Sequence, residues 1–169
     1  MQRIYCGGRF PFDYTKENYL AEASQDYRSI LLGDVNKLLR GKGVIKISDQ
    51  LAYIGPYYFE TDGMLDQDIV KKEMQMIEMC DHAYFLLDSA LCPGTISEMV
   101  YAATLHKKLC IVYIRDESET ESSLRSACWY PILQCQQINP SGVNITSCES
   151  YEQAKEFIII EIERSCCDY

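Results

Sequence analysis

The amino-acid sequence predicts an α/β fold: a doubly wound, mostly parallel sheet of five strands with helices on both faces. Three observations predict this architecture. Short apolar segments alternate along the chain with longer segments whose apolar residues repeat at helical spacing. Two of the short segments, AYFLL at 83–87 and LCIVYI at 109–114, are continuously apolar, as strands covered on both faces are. Turn-forming glycine and aspartate residues bound several of these segments.

The N-terminal part of the chain is predicted to form a strand, a helix, a second strand and a loop. Residues 3–6 (RIYC) are a short strand followed by two glycines, where the chain can turn sharply. Over residues 17–40 the apolar positions repeat at helical spacing, and two nearby glycines end the helix. Residues 44–48 (VIKIS) alternate as a strand does. Residues 49–63 mix aromatic residues with turn formers and have no clean period, so we predict a long functional loop.

The rest of the chain is predicted to repeat the helix and strand pattern. Residues 64–80 carry an apolar stripe of helical spacing. Pro93 and Gly94 break the chain, and Thr95 can cap the next helix, which runs to about residue 106. The other predicted elements are strands at 83–87, 109–114 and, with a weaker pattern, 133–138, an acidic loop at 116–123, and a closing helix at 149–164.

Composition argues against several classes of function. At 169 residues the chain is most simply one domain, residues 1–169, and its 47% hydrophobic and 24% charged residues are typical of a globular protein. The net charge of −9, without any basic cluster, argues against nucleic acid or an anionic membrane as a partner and favours a small-molecule ligand. No apolar run approaches the roughly 20 residues that span a bilayer. The N-terminus lacks the apolar core of a signal peptide, so we expect a cytoplasmic protein.

The cysteines do not predict a metal site. Nine cysteines are scattered along the chain without a CxxC pair, and there are only two histidines, so no bound metal and no redox cofactor are expected. In a cytosolic chain most of these cysteines should be reduced and buried as small apolar residues. The acidic run at 116–123 and the terminal Cys166 and Cys167 suggest no function.

Two glutamates lie on helix faces that should pack inward. Glu98 shares a face with Ala102 and Leu105, and Glu73 lies four residues after Ile69 on the inner stripe of its helix. A buried acid without a partner is costly, so each must be paired, hydrated or next to a cavity. One cavity that both glutamates border would explain both positions.

Each of these acids also has a purely structural interpretation. Glu98 could be a first-turn acid stabilised by the helix dipole. Glu73 could reach solvent if its helix is rotated by one residue. Asp88 follows a strand, where a turn residue is common, and Tyr5 could simply pack in the core.

The predicted sheet brings the candidate residues to one edge. In doubly wound sheets, ligands bind outside the carboxyl ends of the strands. The turn at Gly7 and Gly8, the loop from Asp88 to Gly94 and the start of the helix that carries Glu98 should all lie there. The PGT helix start could also bind a phosphate through free N–H groups, although no Walker loop or GxGxxG fingerprint is present.

Three segments together resemble the nucleoside 2-deoxyribosyltransferase family, which includes related nucleotide N-glycosidases. They are IYCGGRF at 4–10, EMQMIEMCD at 73–81 and PGTISEMVYA at 93–102, and they occur in the family's order. The resemblance covers the order of elements over roughly residues 3–114. It implies a flavodoxin-like, Rossmann-like fold and homo-oligomers in which neighbouring subunits complete each site.

The resemblance also implies roles for individual residues. Glu98 matches the nucleophile, Tyr5 the tyrosine that orients it, and Glu73 the acid of the middle helix, where the family usually has Asp. The family's base-binding Asp has no direct equivalent, because Asp88 lies in the same loop but several residues early. The substrate-binding positions implied on this edge are Gly7, Gly8, Phe10, Asp88, Gly94 and Thr95.

The residues and the resemblance lead to three functional hypotheses. The first is transfer of a 2-deoxyribosyl group between nucleobases through a covalent ester on Glu98, with a second acid protonating or holding the leaving base and with no cofactor. The second is hydrolysis of a nucleoside 5′-monophosphate; relatives with that activity hold the phosphate with a Ser where this chain has Cys92, which favours a non-phosphorylated substrate. The third is a nucleotide-sensing module of the same fold without turnover.

Overall fold

The structure, a computed structural model, describes residues 1–10, 12–13, 15–58, 63–88, 92–115 and 129–165. Its strands are β1 (Gln2–Gly8), β2 (Ile45–Lys46), β3 (Leu51–Tyr53), β4 (His82–Leu87), β5 (Lys108–Ile114) and β6 (Val143–Cys148). Its helices are α1 (Tyr19–Ser24), α2 (Tyr27–Leu32), α3 (Val35–Arg40), α4 (Asp66–Met79), α5 (Pro93–Thr104), α6 (Trp129–Ile138) and α7 (Tyr151–Ser165).

The six described strands form one sheet in the order β2-β3-β1-β4-β5-β6. Every neighbouring pair among them is parallel except β2 with β3, which is antiparallel at the edge. This is the doubly wound arrangement, so the predicted fold class is confirmed. The strand order reverses between β1 and β4, and a crevice for ligands is therefore expected beyond Gly8 and Leu87.

Side chains alternate across the sheet and form one core on each face. On one face Tyr5, Phe85 and Ile111 pack under α4, α5 and α6; on the other, Cys6 and Leu86 pack under α2, α3 and α7. The helices complete these two cores with apolar side chains at helical spacing, among them Ile77, Met99, Ala102, Ile132 and Cys135 on the first face and Tyr27, Leu38, Ala154, Ile158 and Ile162 on the second.

The single helix predicted over residues 17–40 is instead three short helices. Asp26 caps α2 and Asp34 caps α3, and each side chain accepts the backbone N–H two residues on at 2.8 Å. Gly33 ends α2 in the left-handed conformation, with φ of 66°. Both ends of the predicted helix are nearly right, but these caps reset the direction of the chain twice within it.

Two predictions about strands are wrong. Residues 133–138 belong to α6 rather than to a strand, because Ile132 and Cys135 bury one face of a helix; the last strand is β6. The predicted loop at 49–63 contains β3, and all three residues of β3 are buried. The sheet therefore has six strands rather than five.

Other expectations concern cysteines, metals and membranes. The acidic run at 116–123 and the Cys166–Cys167 pair lie outside the described residues. The six cysteines within them are free and buried. In that same part of the chain, no helix is long and apolar enough to cross a membrane. The described side chains also include no group of three or more His, Cys, Asp or Glu residues placed to hold a metal ion.

Candidate active site

α5 brings Glu98 to the crevice between β1 and β4. The helix begins at Pro93, which suits a first position that needs no N–H donor. Its first turn contains no acidic residue, because Glu98 lies one turn further on, so the helix-dipole interpretation of Glu98 is not supported. Met99 and Ala102 of the same helix are fully buried, and Glu98 Oε2 lies beside Gly7 of β1.

Glu73 of α4 meets Glu98 in this crevice, where the two carboxyl groups are close enough to affect each other's pKa. Burial and the nearby charge of Glu73 together raise the pKa of Glu98 to about 7. Burial also raises the pKa of Glu73. Two carboxyl groups in contact titrate as a pair, so near neutral pH they share one proton. One carboxylate and one carboxylic acid side by side are what nucleophilic attack with acid assistance requires.

Tyr5 of β1 is fully buried next to this pair. Its pKa is raised well above the usual value, first by burial and then by the charges of Glu98 and Glu73. Its hydroxyl lies close enough to interact with Glu98, but it has no well-aligned hydrogen-bond partner among the described residues. Tyr5 therefore stays protonated and has a donor free for the Glu98 carboxylate.

The two glycines at the end of β1 make room for the pair. A Cβ on Gly7 would lie 2.5 Å from the Phe85 ring and 3.1 Å from Glu98 Oε2. Gly8 has φ of +144°, and a Cβ there would lie 3.0 Å from the backbone oxygen of Leu86. Larger residues at these two positions would push the strand end away from Glu98.

A hollow of about 270 Å³ lies at the carboxyl end of the strands, in front of the two carboxyl groups. We call it the carboxyl-edge hollow, and it is lined by Gly8, Arg9, Phe10, Pro56, Glu73, Cys92, Gly94, Thr95 and Glu98. The structure thus brings together most of the positions that the sequence predicts. Tyr5 and Gly7 lie just behind Glu98. A Cβ on Gly94 would meet nothing within 4 Å, so its backbone borders open space.

Asp88 lies at the rim of the carboxyl-edge hollow rather than among the residues that line it. Its carboxylate is 3.1 Å from the Arg9 guanidinium, and the Cys92 thiol donates to it at 3.8 Å. The Arg9 side chain is 55% exposed and that of Asp88 is 10% exposed, so the cation can turn toward a ligand while the acid stays in place.

Asp26 and Arg28, which the sequence analysis did not single out, support the segment after β1. Both are fully buried, and they form a salt bridge of 2.7 Å. Arg28 also donates to the carbonyls of Gly8 and Arg9. The signal in the sequence was Asp26 itself, because Asp is typical of the residue that caps a helix start. Treating residues 17–40 as one helix obscured that signal and placed both side chains away from the core.

A larger hollow of about 670 Å³ lies at the opposite end of the sheet. We call it the amino-edge hollow, and it is lined by Met1, Gln2, Asp49, Gln50, Cys80, Asp81, His82, Leu105, His106, Lys107 and Lys108. It is the roomier of the two, but its two acids already have partners, since Asp49 pairs with Lys46 and Asp81 accepts from the Arg3 backbone N–H. Doubly wound folds also bind ligands at the other end. Chemistry rather than volume therefore identifies the carboxyl-edge hollow as the candidate active site.

Comparison with known proteins supports the fold. No protein-family model and no curated protein matches the chain. Among solved structures, the chain is similar to BcmB, a CMP N-glycosidase from Clostridium botulinum, with TM-score 0.53 and 13% identity over 97% of this chain and 99% of that one. It is also similar, with TM-score 0.49 and 10% identity, to translation elongation factor SelB from Methanococcus maripaludis, over 96% of this chain and 34% of that one. At these identities the likeness to BcmB concerns the fold, which is α/β over the whole described chain.

Proposed function

We propose that the protein cleaves the N-glycosidic bond of a nucleoside or nucleoside 5′-monophosphate at the carboxyl-edge hollow, with Glu98 as the nucleophile. The observation that carries this proposal is the contact between Glu98 and Glu73, two carboxyl groups with raised pKa values at the topological switch point. Most glycosidases use two carboxyl groups at the scissile bond, one of which supplies a proton to the leaving group. The N-glycosidase activity of the structural neighbour BcmB agrees with it.

The proposed reaction has two steps. In the first, a Glu98 oxygen forms a bond to the sugar C1′ while the C1′–N bond breaks, and its electron pair leaves with the base. Glu73, holding the shared proton, delivers that proton to the departing nitrogen. In the second, water attacks C1′ and gives its proton to the Glu73 carboxylate, and the ester breaks to restore Glu98. The Tyr5 hydroxyl holds the Glu98 carboxylate in the attacking orientation during both steps.

Hydrolysis of a nucleoside 5′-monophosphate is the form of this reaction that the site favours. Arg9 presents a half-exposed guanidinium to the hollow, and α5 begins at the same wall with Gly94 and Thr95. A cation and a helix N-terminus together suit a phosphate. This substrate is also the class on which BcmB acts, according to its name.

Transfer to a second base is the other candidate. The three segments that resemble the deoxyribosyltransferases favour it, and so does Cys92, which stands where hydrolase relatives hold phosphate with Ser. Both candidates share the first step and the Glu98 ester. They differ in whether water or a free base attacks C1′ in the second.

Product analysis separates the candidates. The protein is incubated with a panel of ribo- and deoxyribonucleosides and their 5′-monophosphates, with and without a second free base, and products are resolved by liquid chromatography. Release of base and sugar phosphate supports the hydrolase, and a swapped nucleoside supports the transferase. If calorimetry detects nucleotide binding but no product forms, the protein is a sensor and the catalytic proposal is wrong.

The covalent intermediate provides a direct test of the role of Glu98. A 2′-fluorine atom on the substrate slows both steps, because it opposes positive charge at C1′, and a more readily leaving base restores the first step so that the ester accumulates. We expect the intact protein to gain the mass of one sugar or sugar phosphate, and the modified peptide to contain Glu98. A mass gain located at Glu73 would reverse the two roles.

We also propose that copies of the chain associate, as members of the resembled family do. Oligomeric state is measured by light scattering after size-exclusion chromatography. A monomer at assay concentration with full activity would contradict a site shared between subunits.

A further inference from the structure

A buried ion pair on α2 has no part in the proposed reaction steps. Asp26 and Arg28 are both 0% exposed, which is rare for charged residues. Arg28 Nε donates to Asp26 Oδ1 at 2.8 Å and Nη2 donates to Oδ2 at 2.7 Å, so the two groups meet as a fork. Apolar residues commonly stabilise a fold as well as a buried ion pair does. Stability alone therefore does not explain the pair.

The remaining donors of Arg28 bind the last residue of β1 and the residue after it. Nη1 donates to the carbonyl of Gly8 at 3.0 Å, and Nη2 donates to the carbonyl of Arg9 at 2.9 Å. With one bond from Nε and one from Nη2 to Asp26, four of the guanidinium donors are used. A planar fork that binds two successive carbonyls fixes both peptide units, which the single ammonium of a lysine cannot do.

The same helix also holds the residues on either side. The Arg28 guanidinium lies 4.0 Å from the centroid of the Phe10 ring, and the Tyr27 hydroxyl donates to the carbonyl of Gly7 at 3.0 Å. Four consecutive residues from the end of β1, Gly7 to Phe10, thus each contact Tyr27 or Arg28 of α2. Three of them, Gly8, Arg9 and Phe10, line the carboxyl-edge hollow.

We infer that the Asp26–Arg28 pair positions the active site: it fixes the Gly8–Phe10 segment so that Arg9 and Phe10 meet the substrate. This inference rests on the proposed function, because positioning matters only if the carboxyl-edge hollow binds substrate. Arg28 acts through the segment and is a positioning residue rather than a catalytic one.

The charges around Glu98 agree with this role. The charged and titratable groups that affect the pKa of Glu98 are Glu73 from α4, Tyr5 from β1 and Arg28 from α2. Burial and Glu73 raise the pKa of Glu98, while Tyr5 and Arg28 lower it. Arg28 thus helps to keep the nucleophile ionised. The titratable groups that face Arg28 itself are Asp26, Tyr27, Tyr53, Cys6 and Tyr151.

The first variant, Arg28→Lys, keeps the positive charge and removes the fork. We expect KM for the nucleoside 5′-monophosphate found by product analysis to rise about 10-fold or more, because the segment that meets the substrate is no longer fixed. We expect kcat to change much less. The pH at which kcat/KM rises on the acid side should stay where it is in the wild type, since the charge near Glu98 remains.

The second variant combines Asp26→Asn with Arg28→Met, which removes both charges and leaves neither one buried alone. We expect the same rise in KM, and in addition a shift of the acid side of the kcat/KM profile to higher pH, because the positive charge that favours ionised Glu98 is gone. A merely structural role would lower the melting temperature without moving this profile.

Lys155→Met is the matched control. Lys155 is another buried cation, 6% exposed, and it pairs with Glu152 on α7. It is not among the groups that act on Glu98. We expect this variant to lose stability at most, with KM, kcat and the pH profile unchanged.

The inference is overturned if folded Arg28→Lys, or the folded double variant, retains the wild-type KM. If the double variant does not fold, KM of Arg28→Lys decides. If the wild-type protein shows no turnover at all, the proposed function fails, and the positioning role is then tested by hydrogen exchange. Faster exchange of the amides of residues 8–10 in Arg28→Lys, but not in Lys155→Met, supports it; unchanged exchange in both rejects it.

Discussion

The two ends of the sheet carry hollows of unequal size and opposite character. At the amino edge, about 670 Å³ is bordered by polar groups that serve the backbone: the Asp81 carboxylate accepts from the Arg3 N–H at 2.8 Å, and Lys107 Nζ donates to the carbonyls of Glu78 and Cys80. At the carboxyl edge, about 270 Å³ is bordered by two neighbouring acids, Glu98 and Glu73; burial raises the pKa of both, and the charge of Glu73 raises that of Glu98 further.

The difference teaches that polar groups left available for a ligand locate a site better than volume does. A fold tolerates an acid that supports the backbone anywhere on its surface. Two acids in contact oppose folding, since each loses hydration and repels the other when ionised. Their presence therefore indicates a role other than stability. Single-residue variants test this contrast between the two edges, from the largest expected effect to the smallest.

Loss of Glu98, the proposed nucleophile, should have the largest effect. We expect Glu98→Gln to lower kcat by about 10³-fold or more, the usual scale for a group that forms the covalent bond. Glu78→Gln is the control, because Glu78 is an exposed acid that accepts a hydrogen bond from Tyr101 away from the hollow. Initial rates with a nucleoside or its monophosphate measure both. An unchanged rate in Glu98→Gln would remove Glu98 from the chemistry.

Loss of the second acid should have a smaller effect and a distinct pH signature. We expect Glu73→Gln to lower kcat by about 10²-fold, as for a general acid. Glu73 raises the pKa of Glu98, so its removal lets Glu98 ionise at lower pH. In the wild type the pair loses its shared proton as the pH rises through about 7, so kcat/KM should fall on that alkaline side, whereas Glu73→Gln has no shared proton to lose and should not show this fall. An alkaline fall near pH 7 that persists in Glu73→Gln would contradict a proton shared between the two acids.

The same pair should weaken the fold at high pH. A carboxyl group whose pKa is higher in the folded state contributes stability below its unfolded pKa and loses it as the pH rises through the folded value, here from 4.5 to about 7. Glu98→Gln cannot ionise. We expect it to be more stable than the wild type at pH 8 by on the order of 2 kcal/mol, and no more stable at pH 4. Denaturant unfolding at both pH values measures this, with Glu78→Gln as the control.

Changes at the amino edge should have the smallest effect. His82 is half-buried, and burial and Lys108 lower its pKa, so it is neutral near pH 7 and is the best acid–base candidate at that edge. We nevertheless expect His82→Asn to leave kcat/KM within about 2-fold of the wild type, the scale of a substitution away from the chemistry. A large loss would move the site to the amino edge and reverse the comparison.

The sequence predicted the elements that carry the acids better than the elements that support them. Strong helical periodicity marks α4 and α5, and continuous apolar runs mark β4 and β5. The inward positions of Glu73 and Glu98 follow from the periodicity of their helices. The caps at Asp26 and Asp34 are local signals within a longer helical pattern, and the pattern obscured them. The buried Asp26–Arg28 pair could not be predicted, because it depends on carbonyls of a segment about 20 residues earlier in the chain.

For the proposed reaction, the weak ion pair between Arg9 and Asp88 should make capture of a phosphorylated substrate sensitive to ionic strength. An ion pair with one half-exposed partner contributes at most about 1 kcal/mol, so an arriving anion can take the guanidinium at little cost. Dissolved salt screens that attraction over a Debye length of about 8 Å at 0.15 M. Capture of a phosphorylated substrate should therefore weaken steadily as salt is added, while capture of the uncharged nucleoside should hardly change.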